Sequence, residues 1–252
     1  PRLLIPAIIL SCMGQSLIDS SVNPFWYCHP RGYPPLRQII LGHMALHGIH
    51  ASDEELMISN GTQNSLQLIL QVLTRPGDKI IIESPSYTMI FPLLRLHSLQ
   101  PVSVAMTPEG MDIKDLEDKL RKHKIRLIYS MPTFHNPTGT TMPHTNREKL
   151  LTLCEKYRCL LIEDSIEEEL KYFGKTHLPV KSMDQHQHVI YLGTFSKILA
   201  PGFRIGWIVA DKVCIRKLAT VKTISDIASA TLNQVFLYHF CKSGQYEIHL
   251  RK

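Results

Sequence analysis

The chain has 252 residues, 44% of them apolar and 20% charged, which supports a sizeable buried core and excludes a disordered segment. Its formal charge of +6 comes from lysines and arginines scattered along the chain, with no run resembling a nucleic-acid-binding arm. Six cysteines form no CxxC and thirteen histidines no HExxH, so the composition argues against a zinc site and for free thiols in a reducing cytoplasm.

In chain order, the first feature is an apolar run at Leu3–Met13, "LLIPAIILSCM". It is too short to cross a bilayer and lacks the cationic start and small-residue cleavage site of a signal peptide, so no membrane association is expected. Residues 1–26 read as an arm or linker remnant and 27–252 as one large domain. The opening on Pro1 and the stop at "EIHLRK" suggest an excerpt of a longer chain. "LMISNG" (56–61) predicts a strand, followed by a helix over Thr62–Thr74 in which Leu66, Ile69, Leu70 and Leu73 share a face. "DKIIIES" (78–84) predicts a second strand and "SYTMIFPLLRLH" (86–97) a helix. "PVSVAM" (101–106) predicts a third strand, before a helical pattern at Asp115–Lys122. "IRLIYSM" (125–131), "CLLIED" (159–164), "HVIYLG" (188–193) and "RIGWIVA" (204–210) predict further strands, and Thr145–Tyr157 a further helix. Continuous rather than alternating apolar runs indicate strands covered on both faces. The fold class is therefore α/β, a mostly parallel sheet with helices on both faces. Ligands of such sheets sit outside the carboxyl ends of the strands, so the residues just after each run are the candidates for function.

After the first strand, Gly61, Thr62 and Gln63 open a helix, either as an anion seat or as an ordinary cap. After the second comes Tyr87, a core aromatic or a flat surface for a planar ligand. Asn136, in "HNPTG", offers a donor amide or simply makes a turn. Asp164 ends a strand where an ionised carboxylate needs a cationic partner, or its pKa rises; the adjoining Glu167–Glu169 reads as a solvated helical face. "GTFSKILAPGFRIGW" places Thr194, Ser196 and Lys197 after another strand, with Arg204 further on. A lysine there, shielded from water, would act as an amine nucleophile, and Arg204 would reach a phosphate already bonded by Ser196 and Thr194. The stretch is no Walker A, and no GxGxxG occurs. Pyridoxal phosphate requires a lysine, an anion for its ring nitrogen, an anion seat with an arginine, and a flat face. Lys197, Asp164, the Gly61–Gln63 turn with Arg204, and Tyr87 supply these together.

With "NGTQ", "SPSY", "HNPTG", "IED" and "SKILAPGFRIGW" in that order, the chain resembles the fold-type I, class I/II aminotransferases from about Tyr27 onward. It looks most like the 2-aminoadipate-type enzymes and the aminotransferase-like domain of GntR/MocR-type regulators. The resemblance implies the large domain of a pyridoxal 5′-phosphate-dependent transferase, moving an amino group between an amino acid and a 2-oxo acid through a Lys197 Schiff base. It further implies that Asp164 faces the ring nitrogen, Asn136 bonds the ring hydroxyl and Tyr87 stacks on the ring. Thr62, Gln63, Thr194, Ser196 and Arg204 would then hold the phosphate. Tyr27 would reach the phosphate of a second subunit, making a homodimer with shared sites. The family's tyrosine shortly after the aspartate is replaced here by Ile166 and Glu167. Its smaller C-terminal domain, with the arginine that grips the substrate carboxylate, lies largely beyond Lys252. Two other readings stay open: a regulator's effector domain, touching DNA only through an upstream winged-helix segment, and a decarboxylase or β-lyase on the same scaffold.

Overall fold

The apolar runs become strands because each can be covered on both sides. In the computed structural model, which describes residues 6–19, 21–165 and 177–251, every residue of β1 (Leu56–Ser59), β7 (Val189–Thr194) and β8 (Gly206–Val209) is buried. The remaining strands are β2 (Lys79–Ser84), β3 (Gln100–Thr107), β4 (Gly110–Met111), β5 (Ile125–Ser130) and β6 (Leu160–Asp164). They form an eight-stranded sheet in the order β1-β8-β7-β6-β5-β2-β3-β4. β3, β2, β5, β6 and β7 run parallel across the sheet, whereas β8 is antiparallel to both β7 and β1, and β4 to β3. The reversal at β8 has a consequence for the site: the loop from β7 to β8 turns back at one sheet end, so Arg204, just before β8, and Lys197, just after β7, emerge at the same end.

Strand alternation sorts the side chains between two faces. Ile82, Leu127, Tyr129, Ile162, Ile190, Leu192 and Ile208 pack on one side with residues of α3 (Thr62–Leu73), α4 (Ile90–Leu96) and α7 (Lys212–Ser225). On the opposite side, Ile58, Tyr191, Trp207 and Val209 meet α1 (Pro6–Ile18), α2 (Pro34–Leu46), α8 (Thr231–Lys242) and α9 (Gln245–Leu250). Farther along that side, Ile81, Ile128 and Leu161 meet α5 (Ile113–Lys122) and α6 (His144–Tyr157). Helices therefore cover both faces, as the sequence predicts.

The helix after β2 is shorter than its pattern predicts. It spans only Ile90–Leu96, because Pro92 lacks an N–H and fits only within a helix's first turn. Tyr87 accordingly stands in the loop before α4 rather than on the helix. Helix α5 starts where Asp112 accepts bonds from the N–H groups of Lys114 and Asp115, and ends with Lys119, Arg121 and Lys122 against the negative pole of its dipole. The Leu3–Met13 run lies largely within α1, which packs on α8 and buries Cys12. All six cysteines are free thiols. Among the described residues, no helix is long and apolar enough to cross a membrane.

Candidate active site

Ser59, Thr194, Asp164 and Tyr129 end or nearly end β1, β7, β6 and β5, Gly206 begins the antiparallel β8, and register aligns them along one edge. Ser59 pairs with Gly206, Gly206 with Thr194, and Asp164 lies opposite Leu192, two residues before Thr194. All carry the parity of the α3-side core, so the edge residues open onto that face. From β1 to β6 is three strand spacings, roughly 14 Å.

At the β1 end the chain turns sharply into α3. Gly61 is the N-cap with φ of 83°, a conformation that disfavours any residue with a Cβ. The first helical bond runs from Ser65 N–H to Gly61 C=O, which leaves the N–H groups of Thr62, Gln63 and Asn64 directed out of the helix start. Thr62 is the first helical residue, and its side chain makes no cap. Arg204 lies against this turn: a Cβ on Gly61 would sit 2.6 Å from Arg204 Nη2. The same Nη2 donates to the Asn60 carbonyl at 3.1 Å, and Nη1 to the Pro201 carbonyl at 3.3 Å. Arg204 is itself left-handed (φ 52°) and precedes β8, outside the strand its sequence run predicts. Thr194 Oγ1 donates to the Ile205 carbonyl at 3.0 Å and accepts from Ser196 N–H at 3.1 Å, with Ser196 Oγ 3.0 Å away. Helix dipole, free N–H groups, two hydroxyls and a guanidinium thus gather at one end of the edge, an anion seat.

Lys197 comes after Ser196 in a turn closed by Leu199 N–H to Phe195 C=O at 2.9 Å. Its side chain is exposed rather than shielded from water, contrary to the sequence expectation, because the turn carries it past the strand end. One strand over, Asp164 is buried, and Tyr129 donates to its Oδ2 at 2.8 Å. Burial, and then the nearby Asp164 charge, hold the Tyr129 hydroxyl well above the usual tyrosine range, so it stays a donor. Tyr87 is also pushed up, first by burial and then by Asp164, with Arg204 pulling the other way; it therefore lies within the field of both ends of the site. Ile166, Glu167 and the rest of the Glu167–Glu169 run fall outside the described residues.

Asn136 sits half-buried in the loop after β5, next to a cis bond to Pro137. That loop is braced from both flanks by buried charges the sequence gives no reason to single out. Glu83 accepts from Ser130 Oγ at 2.6 Å and Met131 N–H at 3.1 Å, and its Oε2 lies 3.1 Å from His135 Nε2. Arg147 of α6, fully buried, donates to the carbonyls of Pro132, Met142 and Leu178 and to Thr133 Oγ1. Gln63 turns its amide to the Met89 carbonyl at 3.2 Å, linking the anion seat to the loop before α4. Tyr27 is not brought into this group; it stands 69% exposed beside the exposed Phe25 and Trp26. A cavity of about 610 Å³ opens on the opposite face, lined by His43, Phe195, Trp207 and Tyr246 among others. Its lining includes none of the edge's polar groups. Among the described residues, no cluster of His, Cys, Asp or Glu side chains suits a metal ion.

The family model described as aminotransferase class I and II matches residues 16–249. An aromatic-amino-acid aminotransferase of Thermococcus litoralis is 38% identical over 98% of this chain and 61% of its own. An uncharacterized HTH-type transcriptional regulator of Bacillus subtilis is 33% identical over 98% of this chain and 51% of its own. Among solved structures, a Pyrococcus horikoshii kynurenine aminotransferase in complex with PMP superposes with a TM-score of 0.94 at 33% identity, covering 100% of this chain and 63% of that one. The chain thus spans between half and two thirds of the length of these relatives.

Proposed function

The chain belongs to the aminotransferase class I and II family, and on that premise we propose that it is the cofactor-binding core of a pyridoxal-phosphate-dependent aminotransferase acting on an amino acid and a 2-oxo acid. The observation that carries the proposal is the order of charge along the sheet edge. An anion seat built on Gly61 and Arg204 stands at one end, a buried carboxylate, Asp164, at the other, and Lys197 extends from the strand between.

The residues fit such a cofactor. Gly61 leaves the space that a Cβ would take from the Arg204 guanidinium, and the first-turn N–H groups of α3 face outward beside it. Pyridoxal phosphate, when bound, supplies an electron sink conjugated to the substrate Cα. Thr62, Gln63, Thr194, Ser196 and Arg204 bind its phosphate, and Lys197 anchors it. Asp164, steadied by Tyr129, holds a proton on the ring nitrogen. Asn136, on its braced loop, donates to the ring hydroxyl, and Tyr87 covers a ring face. Once the substrate amine has taken its place on the cofactor, the freed Lys197 amine would take the proton from the substrate Cα as general base and later return it as general acid.

Residues 27–252 serve as the large cofactor domain, with 1–26 as the arm leading into it. The protein works as a homodimer in which Tyr27 reaches the phosphate of the second subunit. Three consecutive exposed aromatics, Phe25, Trp26 and Tyr27, support an interface at this segment.

A second reading, an effector domain that binds the cofactor without turnover, is supported by the Bacillus subtilis regulator. A half-reaction separates the two. The cofactor-loaded protein is mixed with single amino acids while the absorbance spectrum and 2-oxo acid release are followed. Conversion with release supports the enzyme; binding without release from any amino acid supports the effector domain.

A further inference from the structure

Behind the anion seat lies a charge network that none of the assigned roles uses. Lys222 of α7 is 0% exposed, and its Nζ donates to Oδ1 of Asp226, the C-cap of the same helix, at 2.6 Å. The other oxygen, Oδ2, accepts from Asn60 Nδ2 at 2.6 Å. Asn60 is the residue whose carbonyl receives Arg204 Nη2 at 3.1 Å, and its own N–H is taken by Asn64 Oδ1 at 3.1 Å. The side-chain amide, the N–H and the C=O of Asn60 are therefore all engaged, so the residue cannot rotate without breaking the chain of contacts.

A buried ammonium is tolerated only beside a counter-charge. A lone carboxylate one residue removed from an anion seat would repel the anion it serves. Lys222 and Asp226 satisfy each other: the lysine neutralises the aspartate, and the aspartate orients Asn60. From the interior outward, the groups run cation, anion, neutral amide, cation, then the place of the phosphate. We propose that Lys222 and Asp226 are positioning residues for phosphate recognition, acting through Asn60 to aim Arg204 and shielding the phosphate from the Asp226 charge. The inference rests on the pyridoxal phosphate reading above.

The test compares affinity for pyridoxal phosphate with affinity for pyridoxal, which lacks the phosphate, measured by absorbance titration. It uses the unmodified protein and Asn60→Ala, Asp226→Asn, Lys222→Met, Lys222→Arg and Lys222→Met/Asp226→Asn variants. Asn60→Ala and Asp226→Asn are expected to weaken pyridoxal phosphate about tenfold while leaving pyridoxal unchanged. Lys222→Met lowers the ratio further by leaving Asp226 uncompensated; Lys222→Arg and the double variant recover part of it. Asn60→Ala removes no buried charge, so it decides the matter however Lys222→Met folds. A phosphate preference unmoved in Asn60→Ala and Asp226→Asn, or equal losses for both ligands, overturns the inference alone. An unmodified protein that binds neither ligand overturns the functional reading, and the inference with it.

Discussion

Tyr129 and Asp164, on adjacent parallel strands, meet through a 2.8 Å hydrogen bond inside the buried edge of the sheet. The pairing explains how a carboxylate with almost no solvent exposure is tolerated at a strand end: the phenol supplies a donor where water does not reach. Its hydroxyl is kept protonated by burial and by the very charge it serves.

Tyr129→Phe should therefore leave the fold intact but lower its stability by about 2 kcal/mol, since a buried charged acceptor loses a donor. Urea unfolding checks the magnitude. A change within a few tenths would mean that other groups already satisfy Asp164.

Gly61→Ala tests the contact with Arg204. The new Cβ meets the end of a flexible side chain at 2.6 Å, so the guanidinium can move aside, and the main folding penalty is the positive φ, about 1 kcal/mol. Displacing Arg204 from the seat should nevertheless raise the dissociation constant for pyridoxal phosphate about tenfold. Calorimetry and absorbance titration separate the two effects. An unchanged dissociation constant would remove Arg204 from the phosphate contacts.

Much of the sheet is legible in the sequence because β1, β7 and β8 are buried along their whole length and β2, β5 and β6 along most of it, and strands covered on both faces appear as unbroken apolar runs. The residues at and just after the end of a run mark a strand end, which is how Gly61, Asp164, Thr194 and Lys197 are singled out as candidates. Tyr129 was hidden inside such a run: nothing distinguishes it from a core aromatic except the requirement that a buried hydroxyl find a partner. Nothing in the local pattern marks Glu83 or Arg147, whose partners are main-chain groups and side chains of other elements, while Lys222 and Asp226 stand at helical i,i+4 spacing and only the fold shows that the lysine is buried. The pattern over 86–97 extends beyond α4 because Pro92 leaves the run apolar while limiting where the helix begins. The reversal of β8, which returns Arg204 to the sheet end where Lys197 emerges, is a matter of pairing and leaves no mark on the local pattern.

Alkaline pH should weaken the fold above about pH 9. Burial pushes the thiols of Cys214 and Cys241 up to about 11 and about 12, from an ordinary value of 9.0. Below 9.0 both thiols are protonated in folded and unfolded chains alike, and their contribution is fully present. Above it, the unfolded chain releases protons that the folded one retains, so stability falls by roughly 1.4 kcal/mol per pH unit for each thiol until its folded value is reached. Tyr129, also raised, adds to the loss once the pH passes the ordinary tyrosine range. Unfolding free energies measured from pH 8 upward in Cys214→Ala and Cys241→Ala variants should each show a shallower decline. A slope unchanged by both substitutions would contradict this origin.

Everything proposed for the edge depends on Lys197 anchoring pyridoxal phosphate at the end of β7. The direct measurement is borohydride reduction of the cofactor-loaded protein followed by peptide mass spectrometry, beside a Lys197→Ala variant treated identically. The stable label is expected on the peptide containing Lys197, and none in the variant. A label on another lysine, or one that persists at full yield in Lys197→Ala, would contradict that anchor.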